Sequence, residues 1–322
     1  MTTRTNLATL VTAMIAALDG SQTIEELGYL KRHHADRTDI IELVDDYRAS
    51  VDQPSISSLD SMDKFSMRLH TAGENASALI YACALADYQA INREKYDVVA
   101  VTGNSMGWYI ALAVSQALNQ KNAIKLINTM GSMMSDGIIG GQLIYPIVDD
   151  LWHIDPSKEK LVFDALEKVT QEGAHKVYVS IYLGGYIVLG GEQEGLKAVA
   201  ELLPMVQDRY PMNLFNHAAF HTPLLQDVSD KAMNLLSDDM FESPEVPLID
   251  GRGNIWQPYS TDIQALYQYT LDTQVVAPYD FSTAVEVAIK EYAPDKLIIL
   301  GPGATLGGSV AQTLIKHQWR GI

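Results

Sequence analysis

The segment Gly103-Asn-Ser-Met-Gly107 fits the pattern G-x-S-x-G, with Ser105 at its centre. An apolar, β-branched run precedes it, and a stretch with Ala and Leu at helical spacing follows it. Between a strand and a helix, this pattern presents the serine hydroxyl above a sheet as a nucleophile. The amide that follows the serine can face a developing oxyanion. We therefore predict a nucleophilic Ser105 and an oxyanion donor at Met106.

A nucleophilic serine needs a base, and the chain has eight histidines. His217 and His221 lie in the segment Phe215-Asn-His-Ala-Ala-Phe-His-Thr-Pro-Leu-Leu225, between a predicted strand and an apolar helix. The segment is therefore predicted to be a loop at a sheet edge, and such loops often carry catalytic groups. The residue types alone leave open a structural histidine at a helix cap or at the edge of the core.

Three segments, taken in order along the chain, carry a resemblance to a known family. They are Gly103-Asn-Ser-Met-Gly107 with Trp-Tyr-Ile-Ala-Leu after it, Ala-Ala-Phe-His-Thr-Pro-Leu-Leu225, and Leu300-Gly-Pro-Gly303. Together they resemble the malonyl-CoA:acyl carrier protein transacylase family, which includes the acyltransferase domains of fatty acid and polyketide synthases. The resemblance spans roughly residues 70–315.

The resemblance implies a role for each of these residues. Ser105 would be the acylated nucleophile and His221 its general base, with a backbone carbonyl near Asp250 or Gly251 holding the imidazole N–H. The implied reaction is ping-pong acyl transfer between thioesters, without a cofactor or metal. The implied substrates and partners are coenzyme A thioesters and a phosphopantetheinyl acyl carrier protein.

The chain departs from the family at the residue that binds a malonyl carboxylate. Relatives carry an Arg before a Gly in the helix after the nucleophile, and this chain has Met130 before Gly131. A carboxylate buried without its cation would cost several kcal/mol, whereas Met offers a soft apolar lining. We therefore expect a non-carboxylated acyl group. The alternative is that another basic residue reaches into the pocket.

Two further departures flank the serine. The family usually has His before it and Glu after the second Gly, and this chain has Asn104 and Trp108. We expect the acyl pocket to be lined by Met130, Trp108, Phe220 and Asn104. For Trp108, plain packing in the core is an equal alternative.

The third departure concerns the first residues of the chain. The family begins with a strand and a loop that provides an oxyanion N–H, and Asp19 would stand where that loop has Gln. Here the apolar residues recur at helical spacing, so we predict a helix over residues 6–18. A helix would leave the oxyanion hole without its usual second donor.

Composition and charge limit the class of protein. With 322 residues the chain can hold one large core and a smaller inserted domain. Without a long apolar run, a signal peptide pattern or a Cys/His cluster, we expect a cytoplasmic protein away from membranes. The net charge of −17 argues against nucleic acid. It also opposes an acidic carrier protein, so docking would need local cations. Candidates near the motifs are Arg93, Lys95, Lys121, Lys125 and Arg252.

The order of predicted elements gives the fold class. Alternating strands and helices predict an α/β fold, a hydrolase-like and mainly parallel sheet flanked by helices. An inserted ferredoxin-like βαββαβ subdomain is predicted from 141–148, 158–172, 177–183, 186–189, 193–206 and 210–216. We expect a large acyltransferase domain of residues 1–136 and 217–322, and a small subdomain of residues 137–216.

Three functions stay open at the level of sequence. The first is S-acyl transfer between coenzyme A or carrier protein thioesters through an acyl-serine. The second is hydrolysis of acyl groups from carrier proteins by the same fold. The third is a catalytically weakened module that only binds a carrier protein.

Overall fold

The computed structural model arranges the chain around two sheets. It describes residues 5–11, 27–135, 137–172, 175–303 and 305–322, and for residues 8–11 the backbone alone. The strands are β1 (Thr5–Val11), β2 (Tyr96–Gly103), β3 (Gly141–Pro146), β4 (Val177–Tyr182), β5 (Tyr186–Gly191), β6 (Met212–Asn213), β7 (Leu248–Ile249), β8 (Ile255–Trp256), β9 (Tyr279–Asp280) and β10 (Lys296–Leu300).

The α-helices described are α1 (Tyr29–His33), α2 (Thr38–Ser50), α3 (Ile56–Asp60), α4 (Met67–His70), α5 (Gly73–Gln89), α6 (Gly107–Val114), α7 (Gln120–Ser132), α8 (Pro156–Gln171), α9 (Gln193–Leu202), α10 (Gln226–Leu235), α11 (Ile263–Gln268), α12 (Gln274–Val276), α13 (Phe281–Tyr292) and α14 (Leu306–Lys316). Short 3₁₀ turns cover Pro223–Leu225, Asp238–Met240 and Trp319–Gly321, and a π-helix covers Tyr269–Thr273.

The first sheet has the strand order β10-β1-β2-β7-β8. The pairs from β10 to β7 are parallel, and β8 adds an antiparallel edge. Helices such as α5 and α6 cover it; α5 is mostly buried and α6 is buried along its whole length. The predicted α/β class and the mainly parallel sheet are confirmed, with an antiparallel strand at the edge that makes the sheet mixed.

The second sheet has the strand order β6-β3-β5-β4-β9. Its first four strands pair antiparallel and are joined through α8 and α9 as β-α-β-β-α-β, which confirms the ferredoxin-like insertion. β9, from the C-terminal third of the chain, pairs parallel with β4 and extends this sheet. The boundaries of the two predicted domains, 1–136 with 217–322 and 137–216, stay a prediction.

The helix predicted over residues 6–18 is wrong where the structure describes the chain. Residues 5–11 form β1, which lies between β10 and β2 and is parallel to both. A parallel strand inside a sheet is buried on both faces and reads as a nearly continuous apolar run, which also satisfies a helical period. The rest of the predicted helix and Asp19 lie outside the described residues.

Among the described residues, no helix is long and apolar enough to cross a membrane.

Candidate active site

Ser105 sits in the turn between β2 and α6, as the G-x-S-x-G pattern predicts. Its φ of 54° places it in the left-handed region, which is costly for a residue with a side chain. A Cβ at Gly103 would collide with the carbonyl of Gly107, so only glycine lets the turn close this tightly. The turn therefore holds the serine in a strained conformation above the carboxyl edge of the sheet.

The hydroxyl of Ser105 meets the imidazole of His221. The distance from Ser105 Oγ to His221 Nε2 is 2.7 Å. At the other side of the ring, Nδ1 lies 2.6 Å from the carbonyl oxygen of Gln274. A carbonyl can only accept, so Nδ1 carries the proton and Nε2 is the free acceptor for the serine hydroxyl. The ring is therefore held in the tautomer that a general base needs.

The carbonyl that holds the imidazole was predicted near Asp250 or Gly251, and the structure corrects this to Gln274. The Asp250 carbonyl accepts the N–H of Gly253, and the Gly251 carbonyl accepts the N–H of Asp280. The buried Asp250 carboxylate accepts from Arg252, Asn254 and Trp256. The polar groups of the loop around residue 250 thus form hydrogen bonds within their own turn and with β9.

Burial sets the protonation of His221. The side chain is 3% exposed, and desolvation lowers its pKa to about 4, although the hydrogen bond to the Gln274 carbonyl acts in the opposite direction. An imidazole with so low a pKa is neutral at physiological pH. His221 is therefore uncharged, with the lone pair of Nε2 free towards the Ser105 hydroxyl.

The side chain of Gln274 braces the same group of residues. Its Nε2 donates to the Ser105 carbonyl at 3.1 Å, and its Oε1 accepts from the Tyr109 hydroxyl at 2.8 Å. Gln274 directly follows the π-helix Tyr269–Thr273, a distortion that often occurs at functional sites. One residue therefore positions the serine backbone and the histidine ring together.

His217 lines the same cavity and makes different contacts. Its Nδ1 lies 2.7 Å from Gln142 Oε1, while Gln142 Nε2 donates to the Ser180 hydroxyl. That hydroxyl in turn donates to the Phe220 carbonyl at 2.7 Å. Desolvation lowers the pKa of His217 to about 4 as well. This chain of hydrogen bonds ties the loop that carries both histidines to β3 and β4.

The sequence predicts the N–H of Met106 as an oxyanion donor, and the backbone bonds around it leave this N–H available. Met106 is the N-cap of α6, and the next three amides bond to the carbonyls of Asn104, Ser105 and Met106 itself. The Met106 amide has no backbone acceptor among the described residues. A free N–H at a helix N-terminus suits a developing negative charge.

A cavity of about 670 Å³ extends from the serine and histidine. This volume lies within the range of small-molecule sites. Much of its lining is apolar, with Met130, Met133 and Met134 packed against Leu225, Val228 and Val275. Met130 and Phe220 line it as predicted. The cavity can hold an acyl chain.

Trp108 does not line this cavity, which corrects its predicted place in the acyl pocket. The indole is fully buried, its Nε1 donates to the Thr270 hydroxyl at 3.1 Å, and its ring packs edge-on against Tyr269. The indole N–H needs a partner when buried, and the segment around residue 270 provides it. Packing, the alternative kept from the sequence, is what the structure shows.

Asn104 lines the cavity beside the nucleophile. It is 1% exposed, and neither Oδ1 nor Nδ2 has a hydrogen-bond partner among the described residues. Buried amides without partners are rare in native structures.

Charged side chains are few around the cavity. Of the described residues that line it, Arg68 is the only arginine or lysine and Glu74 the only acidic residue. Arg68 is exposed, so it lies at the opening and not at the bottom. In the described part of the chain, no three His, Cys, Asp or Glu side chains gather as metal ligands.

Sequence reasoning missed Gln274, Gln142 and Arg68. A backbone carbonyl acts without regard to residue type, so the role of Gln274 at the histidine leaves no signature in the sequence. Gln142 and Arg68 come from segments far along the chain from the motifs, and only the fold brings them to the cavity.

The fold is that of solved malonyl transacylases. The chain aligns with a malonyl-transacylase solved in complex with its type II polyketide synthase acyl-carrier protein, with a TM-score of 0.76, 18% identity and coverage of 97% of this chain and 94% of the other. It aligns with the malonyl transacylase of Streptococcus pneumoniae with a TM-score of 0.72, 21% identity and coverage of 96% and 93%.

Curated proteins that are similar in sequence are named malonyl CoA-acyl carrier protein transacylases. The malonyl CoA-acyl carrier protein transacylase of Bacillus subtilis is 26% identical over 208 residues, which is 65% of this chain and 62% of the relative's length. The enzyme of that name from Salmonella typhimurium is 23% identical over 214 residues, 65% of this chain and 63% of its own length. No family model matches the chain. The resemblance drawn from the sequence motifs is confirmed.

Proposed function

We propose that this chain is an S-acyltransferase that moves an acyl group from one thioester to another thiol through an acyl-Ser105 intermediate. The observation that carries the proposal is the hydrogen-bonded series Ser105 Oγ, His221 and the Gln274 carbonyl, with distances of 2.7 Å and 2.6 Å. It is supported by the fold and by relatives named as malonyl transacylases.

The first half-reaction forms the acyl-enzyme. His221 Nε2 removes the hydroxyl proton as Ser105 Oγ attacks the thioester carbonyl carbon. The carbonyl oxygen becomes an oxyanion, which the Met106 N–H stabilises. The intermediate then collapses, the C–S bond breaks, and the proton on Nε2 goes to the leaving thiolate. The products are acyl-Ser105 and a free thiol.

The second half-reaction runs the same steps in reverse. The thiol of a second carrier gives its proton to His221 as its sulfur attacks the ester carbonyl of acyl-Ser105. Collapse breaks the C–O bond, and the proton returns to Ser105 Oγ. The Gln274 carbonyl stabilises the imidazolium that forms in each half-reaction.

A non-carboxylated acyl group fits this cavity. Met130 lies among other methionines and aliphatic side chains, and no cation among the described residues reaches the deep part of the cavity. Glu74, half-buried in the lining, would repel a malonyl carboxylate. These features favour an alkyl acyl group over malonyl.

Hydrolysis is the second candidate, because the same acyl-Ser105 can be attacked by water. The observation that favours hydrolysis is that Ser105 is only half-buried, so water can reach it. Partition of a preformed acyl-enzyme between a pantetheine thiol and water separates the two. Transfer predicts that adding pantetheine speeds deacylation and yields acyl-pantetheine.

The proposal is tested by intact-protein mass after incubation with butyryl-pantetheine. We expect one butyryl adduct, located on Ser105, and none in Ser105→Ala. Ser135→Ala is the matched control, because Ser135 also lines the cavity and is exposed. An adduct that persists in Ser105→Ala would refute the assignment of the nucleophile.

A further inference from the structure

The opening of the cavity is bordered by three chain segments that are hydrogen-bonded to one another. Asn216 Nδ2 donates to the Thr71 hydroxyl at 2.8 Å, and that hydroxyl donates to the Met67 carbonyl at 2.5 Å. The Ala219 N–H donates to the Ile139 carbonyl at 2.7 Å. We call the border formed by residues 67–71, 137–140 and 214–220 the rim.

The rim exposes large apolar side chains. Met67 is 49% exposed, Ile138 47% and Phe215 59%, and all three also line the cavity. They come from three different segments and surround one opening. Grouped exposed apolar side chains around a site mark an interaction surface, unlike single ones scattered elsewhere.

The rim carries little positive charge. Arg68 is the only arginine or lysine in its three segments, and it makes no ion pair with the described residues. Glu74 also lines the cavity, and the whole chain has a net charge of −17. Arg252, a docking candidate from the sequence, is paired with Asp250 at 2.6 Å.

The net charge of −17 opposes both sources of an acyl thioester, since carrier proteins are generally acidic, but the two sources differ in their phosphate groups and in the protein surface that they bring. Coenzyme A adds a pyrophosphate and a ribose phosphate to pantetheine, and an acidic surface with one local cation repels such a group. A carrier protein presents the same thioester behind a single phosphodiester. It also brings a protein surface that can bury the exposed apolar side chains, which coenzyme A lacks.

We infer that this site takes its acyl group from a phosphopantetheinyl carrier protein in preference to coenzyme A. The carrier docks on the rim through apolar contact with Met67, Ile138 and Phe215, while Arg68 meets the phosphodiester of the arm. The inference rests on the proposed function, because it names the donor of the same acyl-Ser105 reaction.

Three donors with the same acyl group test this inference. They are butyryl-pantetheine, butyryl-CoA and a butyryl-loaded acyl-carrier protein of the type II polyketide synthase class, and the readout is the rate of acyl-Ser105 formation by mass. We expect kcat/KM for the carrier to exceed that for butyryl-CoA by at least about tenfold. Butyryl-CoA equal to or better than the carrier would overturn the inference.

Salt dependence provides a second reading of the same assay. Docking through apolar contact between two acidic proteins should not weaken when sodium chloride rises from about 50 to about 300 mM, because salt screens only the charges. A steep loss of the carrier rate over this range would show electrostatic docking and overturn the apolar contact.

Phe215→Ser is the variant that isolates the rim. We expect the carrier rate to fall by about tenfold, as for an aromatic anchor in an interface, and the pantetheine rate to fall much less. Tyr259→Ser is the matched control, since Tyr259 is fully exposed and does not line the cavity, and all three rates should stay the same. Equal losses with carrier and pantetheine in Phe215→Ser would overturn the inference.

Arg68→Gln tests the phosphodiester contact. It should slow acylation by both phosphorylated donors and leave acylation by butyryl-pantetheine unchanged, and equal losses with all three would contradict the contact.

Sedimentation of the wild type and of Phe215→Ser tests whether a second copy of this chain covers the rim instead. A wild-type dimer that Phe215→Ser converts to monomers would make the rim a contact between copies and overturn the inference.

Failure of the proposed function is distinguishable from failure of this inference. Butyryl-pantetheine has neither a phosphate nor a protein surface, so it reports acylation of Ser105 without docking. An adduct with pantetheine and no preference for the carrier would refute the inference alone. Absence of any acyl-Ser105 with all three donors would refute the proposed function and the inference with it.

Discussion

The cavity has two walls of opposite construction. The wall that carries Ser105, His221 and Gln274 is held by hydrogen bonds of 2.6 to 3.1 Å, two of which use backbone carbonyls. A second part of the lining, Met130, Met133 and Met134, is packed against aliphatic side chains. We call them the hydrogen-bonded wall and the methionine wall.

Because the two walls are built differently, we expect the hydrogen-bonded wall to determine the rate of the reaction and the methionine wall to determine which acyl group is preferred. A general base must stay within a few tenths of an ångström of its proton donor, and a network of hydrogen bonds provides that precision. Methionine has an unbranched, flexible side chain and adapts to the shape of what it touches. Substitutions in the first wall should therefore affect every acyl group alike, and substitutions in the second should change which one is preferred.

The largest effect is expected in the hydrogen-bonded wall. His221→Ala should slow acylation by roughly 10²–10⁴-fold, the usual contribution of a positioned base. His217→Ala is the matched control, because burial lowers the pKa of its ring to about 4 as well but only His221 contacts Ser105. Rates of acyl-Ser105 formation with butyryl-pantetheine compare the two, and equal losses would leave the base unassigned.

A smaller effect is expected for Gln274→Ala, which keeps the backbone carbonyl at His221. The substitution leaves the buried Tyr109 hydroxyl without its acceptor, so stability should fall by about 1–3 kcal/mol in urea unfolding. Acylation should slow far less than in His221→Ala. Gln257→Ala removes an exposed hydrogen bond to Tyr292 and should cost no more than about 0.5 kcal/mol. A loss of activity as large as that of His221→Ala would place the orienting group in the side chain.

The methionine wall is tested at Met130. The wild type should prefer acetyl over malonyl by at least about tenfold, and Met130→Arg should shift that ratio toward malonyl because the guanidinium pairs with the carboxylate. Met130→Leu keeps the wall apolar and should leave the ratio unchanged. The measurement is kcat/KM for acylation by acetyl- and malonyl-pantetheine. A wild-type preference for malonyl would show that another cation binds the carboxylate.

The smallest expected effect is that of pH on activity. Burial lowers the pKa of His221 to about 4, so the base stays neutral and acylation should be constant from about pH 8 to about 5.5. An inflection near pH 6.5, the pKa of an exposed histidine, would contradict this.

The free energy of unfolding, unlike the acylation rate, should depend on pH in this range. Between pH 6.5 and about 4 the unfolded chain binds more protons at His217 and His221 than the folded chain, so the free energy of unfolding falls as pH falls.

The two walls differ in how far the sequence predicted them. Ser105, His221, Met130 and Phe220 follow from local motifs and from the resemblance, and the structure places all four at the cavity. The identity of the carbonyl that orients His221 could not be predicted from the sequence, because every residue has a backbone carbonyl. Trp108 failed for a related reason, since neighbouring positions on a helix face different directions and only the packing tells which faces the cavity.

The fold shows the same limit at β1. The alternation of strands and helices predicts the sheet, and the βαββαβ order predicts the insertion, because both depend on element type and order. The strand β1 was mistaken for a helix because burial on both faces removes the alternation that identifies a strand.

The second sheet fixes the segments that carry His221 and Gln274, although Ser105 does not lie on it. Through Gln142 and Ser180 it fixes the loop of His221, and through the pairing of β4 with β9 it holds the segment that follows Gln274. Ser105 follows β2 of the first sheet. The serine and the histidine therefore depend on different sheets, so the 2.7 Å distance between Ser105 Oγ and His221 Nε2 is set by how the two sheets pack against each other.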